Sequence, residues 1–269
     1  MNGLNHIEYV FVMTSTADYP AAGLDLAFKL ANAADKPVCL LTFLDPKIPT
    51  TRQEASLILS GWCDKAAPSA DRGVECFILD RKEDFLDFIV QAEASTVIFQ
   101  LSENPGFNKV KTFLKVSREL RIPYIFVKPY FKPSNLERIL VPVTFLIEDR
   151  EKGPFANNLG KAFGSEILML TAKDYGHKAR TTTQAIESVL EKNSVSFREL
   201  QARKDSSKVE LEAVERAESE GAGLVIISAS RSYGLDDILF GPKELHCINR
   251  ADIPVLLINP RADLYVLCG

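Results

Sequence analysis

Histidine is scarce: His6, His177 and His246 are the only three in 269 residues. None stands near another ligand type at metal-binding spacing, so the sequence offers no zinc or iron site. The five cysteines, Cys39, Cys63, Cys76, Cys247 and Cys268, form no C-x-x-C pair. An odd, scattered set reads as reduced thiols in a reducing compartment. Long apolar runs are missing too. Stretches such as Tyr9–Met13 and Leu224–Ile227 fall far short of the ~18 apolar residues that a spanning helix needs. The first eight residues show no basic start followed by an apolar core, so the expected address is the cytoplasm. There is no excess of positive charge: 32 basic against 36 acidic residues give a net charge of −4, without the basic footprint of a duplex-nucleic-acid binder. No G-x-S-x-G elbow, G-x-G-x-x-G turn or G-x-x-x-x-G-K-[ST] loop occurs, which weighs against α/β-hydrolases, dinucleotide dehydrogenases and P-loop enzymes. A phosphoacceptor receiver domain needs acidic residues at strand ends. The first strands here end in Thr14 and Thr144, and the acidic pairs Glu148-Asp149 and Asp236-Asp237 read as helix caps or solvated loops.

What is present is alternation. Short apolar runs at Tyr9–Thr14, Val38–Phe43, Val74–Leu79, Thr96–Leu101 and Pro123–Val127 are separated by helical patterns at Pro20–Asn32, Thr51–Ala66, Glu83–Ala94 and Asn108–Leu120. Such alternation predicts right-handed crossovers and a mainly parallel sheet. A polar, proline-bearing stretch, Pro129 to Asn135, then reads as a linker. Beyond it the pattern restarts, with strands at Arg138–Thr144, Glu166–Thr171, Ser196–Ala202, Leu224–Ser228 and Ile253–Ile258. The intervening helices are read at Pro154–Phe163, stopped by Gly164, at Thr181–Lys192, at Ser207–Glu220 and from Pro242 to Asn249.

The restart keeps register. Thr14 and Thr144 end equivalent strands 130 residues apart, and the strings Ile122-Pro123-Tyr124-Ile125-Phe126-Val127-Lys128-Pro129 and Ile253-Pro254-Val255-Leu256-Leu257-Ile258-Asn259-Pro260 recur 131 apart. A period this long is a duplicated domain rather than a solenoid unit. The expected organisation is a first domain over residues 1–130, a second over 138–260, and an edge strand or clasp over 261–269, where Leu264 to Leu267 are too apolar for a free tail.

Three segments of the second half resemble the universal stress protein family: Ile139-Leu140-Val141-Pro142-Val143-Thr144, the loop from Ser228 to Pro242, and the closing Ile253–Pro260. The resemblance covers Arg138–Pro260 well and Glu8–Pro129 more weakly. It implies α/β architecture: two tandem Rossmann-like domains of the adenine nucleotide alpha hydrolase-like type. Each would hold a five-stranded parallel sheet in the order 3-2-1-4-5, flanked by helices.

In family members that bind ATP, the corresponding loop spaces three glycines and a hydroxyl residue so that backbone N–H groups and a helix N-terminus meet the phosphates. An aspartate ends the first strand. Here the spacing survives and the residues differ. The glycine positions hold Ser228, Arg231 and Gly241, the hydroxyl position holds Pro242, and the aspartate position holds Thr144. With Ser230 these form a degenerate candidate nucleotide site. Proline at the helix start removes one N–H, and Gly241 alone serves a turn. The first half departs further: Ser102 to Asn108 is too short for the motif, and Thr14 again replaces the aspartate.

The resemblance therefore implies a non-enzymatic stress-response or regulatory module that acts through protein contacts, with no catalytic residue, metal or tightly bound cofactor, and with ATP or AMP bound weakly if at all. The family's subunits pair through their last strands, which implies an intrachain pseudo-dimer bringing Pro123–Val127 near Pro254–Ile258. A further homodimer, with a protein partner rather than nucleic acid or membrane, stays open. The alternative is a nucleotide-binding sensor or slow ATPase using the divergent site of the second half. A hydrolase of the wider fold class would carry an S-G-G-x-D-S-like loop after the first strand, and neither half has one.

Overall fold

The structure is a computed structural model. It describes residues 8–44, 50–102, 106–131, 136–174, 177–230 and 241–261, with backbone alone at 106–108. Arg231, the pair Asp236-Asp237, Cys268 and all but the first residue of the expected C-terminal clasp lie outside the described residues. The chain divides into two compact units, Met1–Lys132 and Pro133–Gly269.

In the first unit the strands are β1 (Tyr9–Met13), β2 (Val38–Phe43), β3 (Val74–Leu79), β4 (Ala94–Gln100) and β5 (Tyr124–Val127), alternating with α1 (Ala21–Ala33), α2 (Arg52–Ala66), α3 (Phe85–Gln91) and α4 (Gly106–Ser117). All pairings are parallel and the order is β3-β2-β1-β4-β5. The second unit repeats this with β6 (Arg138–Val143), β7 (Glu166–Thr171), β8 (Phe197–Gln201), β9 (Leu224–Ser228) and β10 (Val255–Ile258). Its helices are α5 (Lys152–Phe163), α6 (Lys178–Lys192), α7 (Val209–Arg216) and α8 (Lys243–Arg250). The parallel order is β10-β9-β6-β7-β8, so each unit carries a 3-2-1-4-5 sheet.

The central strands are covered on both faces and therefore read as continuous apolar runs. All five residues of β1 are buried, as are those of β9. The outer strands β3 and β8 carry Glu75, Arg198 and Glu199, charges that suit an edge. The two cores are filled differently. In the first unit Phe99 lies 4.9 Å from Phe113 and 5.0 Å from Phe126, with Phe85 and Tyr124 close by. The second unit packs aliphatic layers, among them Ile139, Leu140, Leu168, Leu170, Val225 and Ile227.

Several expected boundaries move. The helix read over Glu83–Ala94 is a short turn of 3-10 helix followed by α3, which stops at Gln91 because Glu93 turns to φ +49° and β4 starts at Ala94. The helix read over Ser207–Glu220 is confined to Val209–Arg216, and the chain then turns until Gly221 at φ +66°. Gly164 does close α5 in the left-handed conformation. Pro242 caps α8 in an extended conformation one residue before the helix begins, rather than as its first residue.

Two helical glycines make opposite predictions. A Cβ on Gly160 in α5 would come within 2.4 Å of the Val195 side chain, whose β-branched stem leaves it little freedom to move. Gly61 in α2 is exposed, with nothing within 4 Å of an added Cβ. Gly160→Ala is expected to destabilise by about 1–3 kcal/mol through overpacking, and Gly61→Ala to stabilise by about 0.5–1 kcal/mol through helix propensity, both read by urea unfolding.

Candidate functional site

Open parallel sheets present ligands at the carboxyl ends of their strands, where the order reverses. In the second unit that point lies between β6 and β9. Their ladder pairs Ile139 with Leu224 and Leu140 with Val225 and goes no further. Backbone groups alternate sides along a strand. The Val143 carbonyl accepts from Ala172 just beyond β7, so the neighbouring Pro142 carbonyl faces β9. Proline has no N–H to offer there. The pairing lapses, and a cleft opens beside the Pro142 carbonyl.

A side chain fills the cleft. The Lys152 ammonium, from the first turn of α5, donates to the Pro142 carbonyl at 2.7 Å and lies 2.9 Å from Asp149 Oδ1 and 3.7 Å from Glu210 Oε1. Its side chain has no solvent exposure, and that of Asp149 has 1%. Asp149 sits in the 3-10 turn Ile147–Glu151 and gathers two of the candidate residues. The Thr144 N–H donates to Asp149 Oδ2 at 2.7 Å, and the Ser228 hydroxyl donates to Asp149 Oδ1 at 2.8 Å. The Thr144 hydroxyl in turn accepts from the Leu146 N–H at 3.1 Å. Glu210, on α7, accepts from the Ser228 N–H and pairs with Lys243 at 2.8 Å. Glu244, beside Lys243 at the start of α8, takes the Ser230 hydroxyl at 2.9 Å and the Ser230 N–H at 3.4 Å. Gly241 holds φ +84° just before Pro242, a turn that a side chain adopts only with strain.

The structure thus brings Thr144, Ser228, Ser230, Gly241 and Pro242 to one end of the sheet, and Arg231 lies outside the described residues. It also corrects the reading of Asp149 as a helix cap or a solvated-loop residue: the carboxylate is buried and links β6, β9 and α5. Lys152, Glu210, Lys243 and Glu244 were not anticipated at all. Glu244 did carry a signal, since it shares a helix stripe with buried Cys247 and Ile248 at i+3 and i+4, where an apolar residue is expected.

Opposed fields set the charges here. Burial works to raise the Asp149 carboxyl, but Lys152 and the Thr144 contacts outweigh it and hold it below the ordinary 3.8. Burial likewise opposes the Lys243 charge, and Glu210 overcomes it and raises the ammonium. For Glu244 burial prevails over Ser230 and Lys243, so its carboxyl is raised above 4.5.

The first unit closes its equivalent point with one neutral contact. Gln100, which ends β4 as Ser228 ends β9, accepts the Gly23 N–H at 2.7 Å through Oε1, so its side chain occupies the start of α1. Thr14, the counterpart of Thr144, is buried and donates to the Ser15 carbonyl. A cavity of about 500 Å³ in this unit lies at the other end of the strands, between Ile89 and Val90 of α3 and Leu120–Ile122. Among the described residues no cluster of His, Cys, Asp and Glu is arranged to hold a metal ion, and no helix is long and apolar enough to cross a membrane.

No family model and no curated protein sequence matches the chain. Solved structures do. A universal stress protein from Archaeoglobus fulgidus DSM 4304 superposes with a TM-score of 0.69 at 14% identity, over 95% of this chain and 97% of that one. A functionally unknown protein from Pseudomonas aeruginosa PAO1 gives 0.67 at 14% identity, over 97% and 95%. The cytoplasmic domain of a prokaryotic cation chloride cotransporter gives 0.57 at 12% identity, over 93% and 95%. The chain therefore has the doubly wound α/β fold of the universal stress proteins, present twice.

The buried charges predict a pH signature. Asp149 has its folded pKa lowered, so its contribution is complete above the unfolded value near 4 and is lost as pH falls through the folded value. Stability measured by urea unfolding is expected to fall steeply below about pH 4. Lys152→Met is expected to cost about 3–5 kcal/mol at neutral pH, because Asp149 and Glu210 are left facing each other, and to recover part of that loss in acid. Glu244 has the opposite sign: its raised folded value means stability is lost as pH climbs from 4.5 through that value. Glu244→Gln should remove this loss; an unchanged profile above pH 4.5 would contradict it.

Proposed function

We propose that this protein is a universal stress protein-like regulatory module that is read by other proteins through surface contact, turns over no substrate and does not bind ATP tightly. The observation carrying this is the chain of alternating charge Asp149–Lys152–Glu210–Lys243, which occupies the strand ends where ATP-binding members of the resembled family hold their ligand. A triphosphate placed there would face Asp149, Glu210 and Glu244. It would also have to take Lys152 from partners that already satisfy it. The N–H groups of Thr144 and Ser228, natural donors to an anion, are spent on carboxylates. In the first unit Gln100 uses the Gly23 N–H in the same way.

The net charge of −4 supports a protein partner over nucleic acid, and a cytoplasmic address is part of the proposal. The same fold serving as the cytoplasmic domain of a cotransporter suits a module that acts as part of, or against, another protein. Titration calorimetry of the whole chain with ATP and magnesium is the test. The expected dissociation constant is about 1 mM or weaker, since each ~1.4 kcal/mol lost is tenfold in affinity. A micromolar constant abolished by Arg231→Ala would overturn this reading and establish the nucleotide sensor.

A further inference from the structure

Three of the cysteines lie in the first unit, and the β2–β3 register, Cys39 opposite Glu75 and Leu40 opposite Cys76, puts Cys39 on the other face of the sheet from Cys76. Cys63 lies on α2, Cys76 on the edge strand β3, and Cys39 on the adjacent β2. The placement of the first two follows from packing. Helix α2 is held by the Thr51–Glu54 capping box at its start, and Arg52 in its first turn reaches back to the far end of β3, bonding to the Ile78 carbonyl at 3.2 Å and pairing with Asp80. The helix therefore runs antiparallel to the strand. Cys63 is eleven residues beyond Arg52, about 16 Å at ~1.5 Å per residue. Cys76 is four residues before Asp80, about 13 Å at ~3.3 Å per residue. The two reach similar heights.

They also face each other. Phe77 packs against Phe88 of α3, with ring centroids 5.2 Å apart, so Cys76 points to the opposite side of the sheet. On α2, Cys63 continues the i, i+4 stripe of the buried Ala55 and Leu59. Both thiols are partly open to solvent, whereas Cys39 is buried. Helix and strand are thirteen residues apart along the chain at these points, and the α2–β3 contact already sets their separation.

We propose that Cys63 and Cys76 form a redox-active dithiol that closes to an intrachain disulfide under a peroxide oxidant and reopens under a thiol reductant. One thiolate attacks hydrogen peroxide, breaking the O–O bond to give a sulfenic acid and hydroxide. The second thiolate displaces hydroxide from that sulfur and forms the S–S bond. With the two thiol protons, both hydroxides leave as water, and two electrons pass from the sulfurs to the peroxide. Closure staples the edge strand β3 to the helix that covers it. Burial and the neighbouring Cys76 push the Cys63 thiol up to about 12, so oxidation is slow at neutral pH and faster in alkali. Such a dithiol records sustained oxidation rather than a brief pulse. This inference does not depend on the nucleotide reading.

The test uses the whole chain in two measurements. Under peroxide, non-reducing peptide mapping is expected to show one linkage, Cys63 to Cys76, reversed by dithiothreitol and accompanied by a higher thermal unfolding midpoint. Reduced protein should also bind one equivalent of phenylarsine oxide, a reagent that bridges two neighbouring thiols. Oxidised protein, Cys63→Ser and Cys76→Ser should each bind none. The proposal is overturned if the two cysteines oxidise independently, if either links to a different cysteine or a second molecule, or if the reduced chain fails to bind the arsenical.

Discussion

A fully buried ammonium is the constraint around which the second unit is arranged. Removing a charge from water costs several kcal/mol even after the surroundings relax, so Lys152 is tolerable only where its protons and field are matched. The match comes from three places: the carbonyl of Pro142 in β6, Asp149 in the following turn and Glu210 on α7, whose other oxygen pairs with Lys243 on α8. None of these is near another in sequence except Asp149 and Lys152. The network can form only when β6, α5, α7 and α8 have all docked, which couples the end of the sheet to the helices around it. Replacing the whole set with apolar residues could be neutral for stability, so its value lies in fixing one arrangement of those strand ends.

The internal repeat shows how one topology closes the same point by two chemistries. At an offset of 130, Val12 corresponds to Pro142 and Gly23 to Gly153. Val12 keeps its ladder to β4, with Val12 opposite Ile98 and Met13 opposite Phe99. No cleft opens between those strands, and one amide, Gln100, satisfies the start of α1. With proline in place of valine the ladder to the equivalent strand stops early, and charged groups enter. At Gly23 an added Cβ would press on both Gln100 Oε1 and Val12 Cγ1 at 3.1 Å, so that a neighbour would have to give way. Gly153 is under no such pressure, because the space beside it is ordinary contact with Ile186. The two units have diverged at the place where the fold class holds ligands, while their sheets kept the same order.

The fold was legible in the sequence for a physical reason. Strands buried on both faces must be apolar throughout, and the proline-bracketed strings that include β5 and β10 recur at a spacing only a duplicated domain explains. Boundaries failed where one residue overrode a periodic pattern. The helical stripe through Glu83–Ala94 is intact as a pattern, yet the left-handed turn at Glu93 ends the helix and starts β4 two residues early. The candidate site was legible only as a loss. Thr144, Ser228, Gly241 and Pro242 match the motif by spacing and lie at one end of the sheet with Ser230, but spacing cannot say what occupies the room they leave. That room is filled by Asp149, Lys152 and Glu210, whose local sequence looks like ordinary surface charge, and by Glu244, which only its place on a buried helix stripe sets apart. Burial of a charge is a tertiary property, and here it depends on three helices converging.

A chain of alternating charges is rigid while every member is paired and unstable when one is neutralised, because each carboxylate serves three partners. Asp149 is shared by Lys152, Thr144 and Ser228, and Glu210 by Lys152, Lys243 and Ser228. Lys243 is the member with solvent access, its side chain 38% exposed at the start of α8. Of the four charges, Lys243 alone is open to solvent, and it shares Glu210 with the buried ammonium, so the network meets its surroundings at the first turn of α8.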